Sequence, residues 1–147
     1  KRLSRHPKFY FFDPGVVRTL TRRLNTELTR LDQDYGRLFE HLVILEIIKL
    51  NSYRNLDLEF SYYRTESGVE VDLIIEPPDR PPIACEIKST DRPSPSHLSG
   101  LESFRRDHPT AHCYLIADVP RPWEEQGIRI IPWTGIEEML LTAPGQS

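Results

Sequence analysis

Long apolar runs are missing from this chain, and nothing in it approaches the roughly 20 consecutive apolar residues of a bilayer-spanning helix. The opening KRLSRHPKF is basic but lacks an apolar stretch of the length a secretory leader needs, so a cytoplasmic protein with no membrane partner is expected. An initiator methionine is also lacking, since Met139 is the single Met, and the chain reads as a fragment of a longer protein. Cysteine is scarce. Cys85 and Cys113 each sit inside an apolar strand-like run, which favours buried reduced thiols over a disulfide and agrees with a reducing compartment. Positive charge is not in excess: 19 Lys and Arg against 22 Asp and Glu leave a net charge of −3. Nothing therefore draws the whole molecule to nucleic acid, although a metal-dependent nuclease can be acidic overall and basic locally. The absence of G-x-x-x-x-G-K-[ST] excludes ATP hydrolysis by a P-loop.

What remains is enough for one folded domain. In 147 residues, 38% hydrophobic and 28% charged, there is material for a core with a solvated surface. KFYFFD (8–13) predicts a short strand and 14–24 a helix, with Asp13 as cap, Pro14 in the first turn and Val17, Leu20 and Leu24 on one face. Arg18, Arg22 and Arg23 fall largely on the other side, with Arg30 and Arg37 further along. Such a cluster reads either as a phosphate-contacting patch or, more commonly, as a solvated helix face; Arg18, Arg22 and Arg37 are the DNA-contact candidates. Residues 25–35 read as a polar connection. The expected division is thus an N-terminal strand–helix extension and linker over 1–35, followed by the main domain over 36–147.

Residues 36–50, GRLFEHLVILEIIKL, form the strongest helical pattern, with Leu38, Phe39, Leu42, Val43, Leu45, Ile47 and Leu50 leaving almost no polar side. Glu46 can pair with Lys49 at i,i+3. Glu40 has no basic residue three or four positions on, so it lies either at the rim of the packed face or aimed at a site. A turn over 51–57 leads to a strand over 58–65. VEVDLIIEPPDRPPIACEIKS (69–89) then reads as a two-strand hairpin joined by PPDRPP, which makes a three-strand antiparallel meander with the preceding strand. Loop 89–96, a helix over 96–107, a strand over 111–118, loop PRPWEEQG, a strand over 128–133 and a last helix capped by a Thr134–Glu137 capping box complete an α/β order around a mixed sheet.

Both hairpin strands carry ionised residues at their centres. Alternation puts Glu86 and Lys88 on one side and Cys85 and Ile87 on the other; in the partner strand Asp72 shares a side with Glu70 and Ile74, opposite Val71, Leu73 and Ile75. Strand-centre charges in a compact domain require partners, and a metal ion would serve. A zinc reading of His97, His108, His112 and Cys113 is disfavoured, because Pro109 breaks any helix that would bring the rings of HPTAH together. Trp123 and Trp133 can stack on bases, although packing is the commoner use.

Glu40 on a helix, Asp72 on one strand and Glu86-Ile87-Lys88 on the next resemble the PD-(D/E)XK nuclease superfamily, in which a helix acid precedes a strand Asp and a strand E-x-K. E-x-K alone is weak; the ordered set is more specific. More narrowly, KFYFFDPGV, GRLFEHLVILEI, YYRTESGVEVDLII and ACEIKST resemble DUF4143, the C-terminal domain of prokaryotic AAA+-type ATPases, over nearly the whole chain. The resemblance implies a restriction-endonuclease-like mixed β-sheet flanked by helices, and upstream ATPase and winged-helix modules in the full-length protein. It also implies Mg²⁺ or Mn²⁺ held by Asp72, Glu86 and the Ile87 carbonyl, with Glu40 holding a water and Lys88 orienting it or stabilising developing charge. DNA is then the expected substrate. The alternative is a non-catalytic domain that docks on its own ATPase module or on another protein.

Overall fold

The computed structural model describes residues 33–142. The strand and helix expected over 8–24, with Arg18 and Arg22, lie outside the described residues. Helix α1 (Gln33–Arg54) is longer than the 36–50 pattern, because Asn51, Ser52 and Tyr53 continue the helix where a turn was expected. It stops where Asn55 turns left-handed (φ 51°), followed by Asp57 (φ 54°), residue types whose short polar side chains tolerate that region. The Asn51 side chain guides the exit by accepting the Leu58 N–H at 3.0 Å.

Six strands follow: β1 (Glu59–Arg64), β2 (Glu70–Glu76), β3 (Ile83–Lys88), β4 (His112–Ala117), β5 (Trp123–Glu125) and β6 (Ile128–Pro132). They form one open sheet in the order β1-β2-β3-β4-β6-β5. The first three make the antiparallel meander; β3, β4 and β6 run parallel, and β5 closes the edge antiparallel to β6. Helix α2 (Ser99–Asp107) is the crossover between parallel β3 and β4, and α3 (Ile136–Leu141) ends the described fold. The architecture is the expected mixed α/β sheet flanked by helices.

Three local expectations are corrected. PRPWEEQG was expected as a loop, yet Trp123–Glu125 pairs with β6 through a two-residue turn whose residues Gln126 (φ 53°) and Gly127 (φ 74°) are both left-handed, the hairpin geometry that suits strand twist. Thr134 does not cap the last helix: Trp133–Gly135 is a 3₁₀ turn, Gly135 takes the cap position without a side-chain bond, and Glu137 pairs with Arg54 instead. On α1, Leu38, Phe39, Val43, Ile44 and Ile47 are buried but Leu42 is 48% exposed, so the helix keeps an outer face.

The sheet separates two apolar clusters. Phe39, Val43, Ile44 and Ile47 of α1 and Met139 of α3 pack on one side with Leu73, Ile75, Cys85 and Ile87. Leu101 and Phe104 of α2 pack on the other with Val71, Ile74, Ala84 and Cys113. Cys85 and Cys113 are therefore free buried thiols on opposite sides of the sheet. Val71 was expected to share a side with Leu73 and Ile75, but it packs with Ile74. The cause is a β-bulge. Ser61 pairs with Ile74 and Tyr63 with Val71, so two steps along β1 span three along β2, and the alternation resets across Asp72 and Leu73.

A candidate carboxylate and lysine site at the end of the hairpin

The bulge lies at the acidic residue. Beyond Leu73↔Cys85 the last assigned pairing of β2 and β3 gives way to a side-chain bond, in which Asp72 Oδ2 accepts the Ile87 N–H at 2.9 Å. Bulges beside sites re-aim side chains, and here the carboxylate is turned across to β3. In regular β3, Glu86 and Lys88 share a side away from buried Cys85 and Ile87. Lys88 Nζ lies 2.7 Å from Glu86 Oε1 and 3.9 Å from Asp72 Oδ2, so one ammonium bridges carboxylates of two strands.

Exposure falls steeply inward: the Lys88 side chain is 38% exposed, that of Asp72 16% and that of Glu86 12%. Burial first, and the Asp72 charge second, push the Glu86 carboxyl up to about 7 against the opposing pull of Lys88. Glu86 Oε2 is buried and has no hydrogen-bond partner. Burial works against the Lys88 charge, yet the Glu86 hydrogen bond and the charges of Asp72, Glu86 and Glu40 hold its ammonium above the ordinary lysine value. Glu40 thus acts on the same cation from α1. Gly36 brings the first turns of that helix against Ser89, the residue after Lys88, where an added Cβ would stand 3.6 Å from Ser89 Oγ, and Glu40 follows one turn later.

The residues present fit a hard divalent cation. Two carboxylates and a strand carbonyl are oxygen donors, and Mg²⁺ takes only one or two protein carboxylates while keeping several waters. The orphaned Glu86 Oε2 is a buried acceptor in want of a positive partner. Among the described residues no three His, Cys, Asp or Glu side chains gather as a metal-binding group, so water would have to complete the shell of any ion here.

The other sequence candidates are dispersed. Arg37 is exposed on α1. His108 stacks on Phe104 with centroids 4.2 Å apart, and Cys113 points its thiol at the Leu101 carbonyl. Burial pushes that thiol up to about 11. Trp123 and Trp133 are 38% and 48% exposed at the β5–β6 end. His97 was weighed in the sequence only as a zinc ligand. His97, in a 3₁₀ turn (Pro95–His97), is held below its ordinary value by burial and then by the Lys88 charge. Its only signal was position, nine residues after Lys88 at the mouth of the next helix.

Comparison with known proteins gives three findings. The family model described as "Domain of unknown function (DUF4143)" matches residues 35–136. No curated protein matches the chain. A solved structure, the refined half-complex from a tetradecameric assembly of Thermococcus gammatolerans McrB AAA+ hexamers with bound McrC, is similar at 18% identity and a TM-score of 0.43. That match covers 66% of this chain, which spans 27% of the other. Among the described residues no helix is long and apolar enough to cross a membrane.

Proposed function

The chain belongs to the DUF4143 family, and from there we propose that it is a PD-(D/E)XK-like domain hydrolysing DNA phosphodiesters with Mg²⁺ or Mn²⁺. The observation that carries this reading is Lys88 Nζ set between Glu86 and Asp72, with a second Glu86 oxygen buried and unpartnered. Asp72, Glu86 and the Ile87 carbonyl would hold the ion, which when bound lowers the pKa of an attacking water and neutralises phosphate charge.

The chain's own residues supply the rest. Asp72 is fixed by the Ile87 N–H, so its position does not depend on a ligand. Lys88 keeps its charge despite burial, and a fixed ammonium in a half-buried site favours the extra negative charge of a phosphoryl transition state. Glu40 offers a carboxylate from the opposite layer that can accept a proton or a hydrogen bond from water. Arg37 at the exposed start of α1, with Arg18 and Arg22, would meet the phosphate backbone. The full-length protein would place ATPase and winged-helix modules upstream, as the sequence resemblance implies.

The test is incubation with plasmid and linear DNA plus Mg²⁺ or Mn²⁺ beside an Asp72→Ala control. Cleavage by the wild type alone supports the reading; equal cleavage by both, or none by either, counts against it. A second reading, a non-catalytic domain docked on its own ATPase module, draws on the outer face of α1. There Leu42 is 48% exposed and Tyr53 81%, about three helical turns apart on one side. Calorimetry with Mg²⁺ separates the two, because docking requires no ion.

A further inference from the structure

The second half of the sheet carries a polar pair of its own. Tyr114 of β4 and Arg129 of β6 are register partners, so their side chains leave the same face of the sheet. Tyr114 is 3% exposed and packs in the cluster that holds Ile131 and Met139, while Arg129 reaches the surface. The Arg129 guanidinium donates a hydrogen bond to the Tyr114 hydroxyl, which anchors the head of a long side chain. Helix α3 does not close over this pair. A cleft of about 270 Å³ opens beside it, and buried Tyr114, Ile131 and Met139 and exposed Arg129, Thr134 and Glu138 are among its lining residues. Among the described residues no carboxylate forms an ion pair with Arg129, although Glu124 is its register partner on β5 and Glu138 shares the cleft.

We propose that this cleft binds a small monocarboxylate with an apolar body, Arg129 taking the carboxylate while Ile131 and Met139 take the hydrocarbon. A guanidinium fork matches a carboxylate with two parallel N–H donors, and five donors leave enough for both the ligand and Tyr114. The Tyr114 hydroxyl already holds the fork, so less side-chain freedom is lost on binding. One negative charge suits the site better than several, because Glu138 stands in the same cleft and repels a polyanion. The volume lies below the roughly 300 Å³ at which pockets for drug-sized molecules begin, so the acid is small. Asp72, Glu86 and Lys88 are not among the lining residues, and the inference stands or falls apart from the phosphodiester reading.

Met139 is the single methionine, so the wild-type chain labelled with ¹³C at the methionine methyl gives one signal from the cleft wall. Phenylacetate and hexanoate should each move that signal saturably, with the millimolar affinities expected of ligands this small. Phenylacetamide, the neutral isostere, should bind roughly tenfold more weakly, the order expected when a charge-assisted hydrogen bond is lost. Arg129→Gln, at an exposed position, should weaken phenylacetate by the same order and leave phenylacetamide unchanged. Equal binding of phenylacetate and phenylacetamide by the wild type would overturn recognition of the carboxylate without recourse to a variant. Phenylacetate binding undiminished in Arg129→Gln would do the same. Inorganic phosphate that moves the Met139 signal as far as phenylacetate does would overturn the apolar half of the proposal. A signal unmoved by either acid would overturn all of it.

Discussion

Asp72 takes the Ile87 N–H with its carboxylate at 2.9 Å, where a regular ladder would use a main-chain carbonyl. A structural bond and a candidate ligand therefore reside in one side chain, and two substitutions separate them. Asp72→Ala leaves a strand N–H unpaired and should cost about 1–3 kcal/mol in urea unfolding. Asp72→Asn retains an acceptor and should cost less. If the residue also meets a cation, both variants should lose the Mg²⁺-induced rise in melting temperature. Stabilisation by Mg²⁺ that survives in Asp72→Asn would remove Asp72 from the ligand set.

The Glu86 carboxyl gives a pH signature. Burial, then the Asp72 charge, raise it from 4.5 to about 7, so the folded chain holds this proton after the unfolded chain has lost it. Its contribution to stability is accordingly full below the lower value and is lost as pH rises through the upper one. Glu86→Gln abolishes that dependence. Without metal, the variant should melt above the wild type at pH 8 and show no such gain at pH 5. A lower melting temperature at pH 8 would make the Glu86–Lys88 pair a net stabilising salt bridge.

The pattern of residues made β3 legible because that strand is regular: Cys85 and Ile87 are buried on one side, and Glu86 and Lys88 pair on the other. The same rule failed one strand away. Whether β2 bulges at Asp72 is decided by its register with β1, a non-local pairing that local alternation cannot contain. Strand β5 escaped because Trp123 followed by two glutamates makes no apolar alternation, and its evidence was the Gln126–Gly127 turn. The last turn of α1 also carries a non-local contact, Arg54 with Glu137, 83 residues along the chain. Glu40 left two readings open, rim or site, and its charge is the smallest of those acting on Lys88.

Metal binding should release a proton. A carboxylate ligand must be ionised, and Glu86, raised to about 7, is largely protonated at pH 6. The increase in melting temperature produced by a fixed Mg²⁺ concentration should therefore be larger at pH 8 than at pH 6. Titration calorimetry near pH 6.5 should give heats that vary with the ionisation enthalpy of the buffer. Equal heats in buffers of different ionisation enthalpy would mean that no such proton leaves, and that Glu86 does not meet the ion.

Two helical glycines should respond oppositely to alanine. Helix interiors favour Ala over Gly by about 1 kcal/mol, so the default expectation for either is a gain. At Gly36 an added Cβ meets Ser89 Oγ at 3.6 Å, an ordinary contact, and Gly36→Ala should be neutral or stabilising. At Gly100 the obstacle is the main-chain carbonyl of Glu70, which cannot rotate aside, so α2 must lift from β2. Overpacking of this kind costs about 1–3 kcal/mol and outweighs the helical gain. Gly100→Ala should therefore lower the urea midpoint while Gly36→Ala does not. Because the displaced carbonyl is two residues from Asp72, the surviving folded fraction of Gly100→Ala should also bind Mg²⁺ more weakly, which calorimetry at low temperature would read. Unaltered Mg²⁺ affinity in a clearly destabilised Gly100→Ala protein would show that the α2 contact supports the fold without positioning the carboxylates.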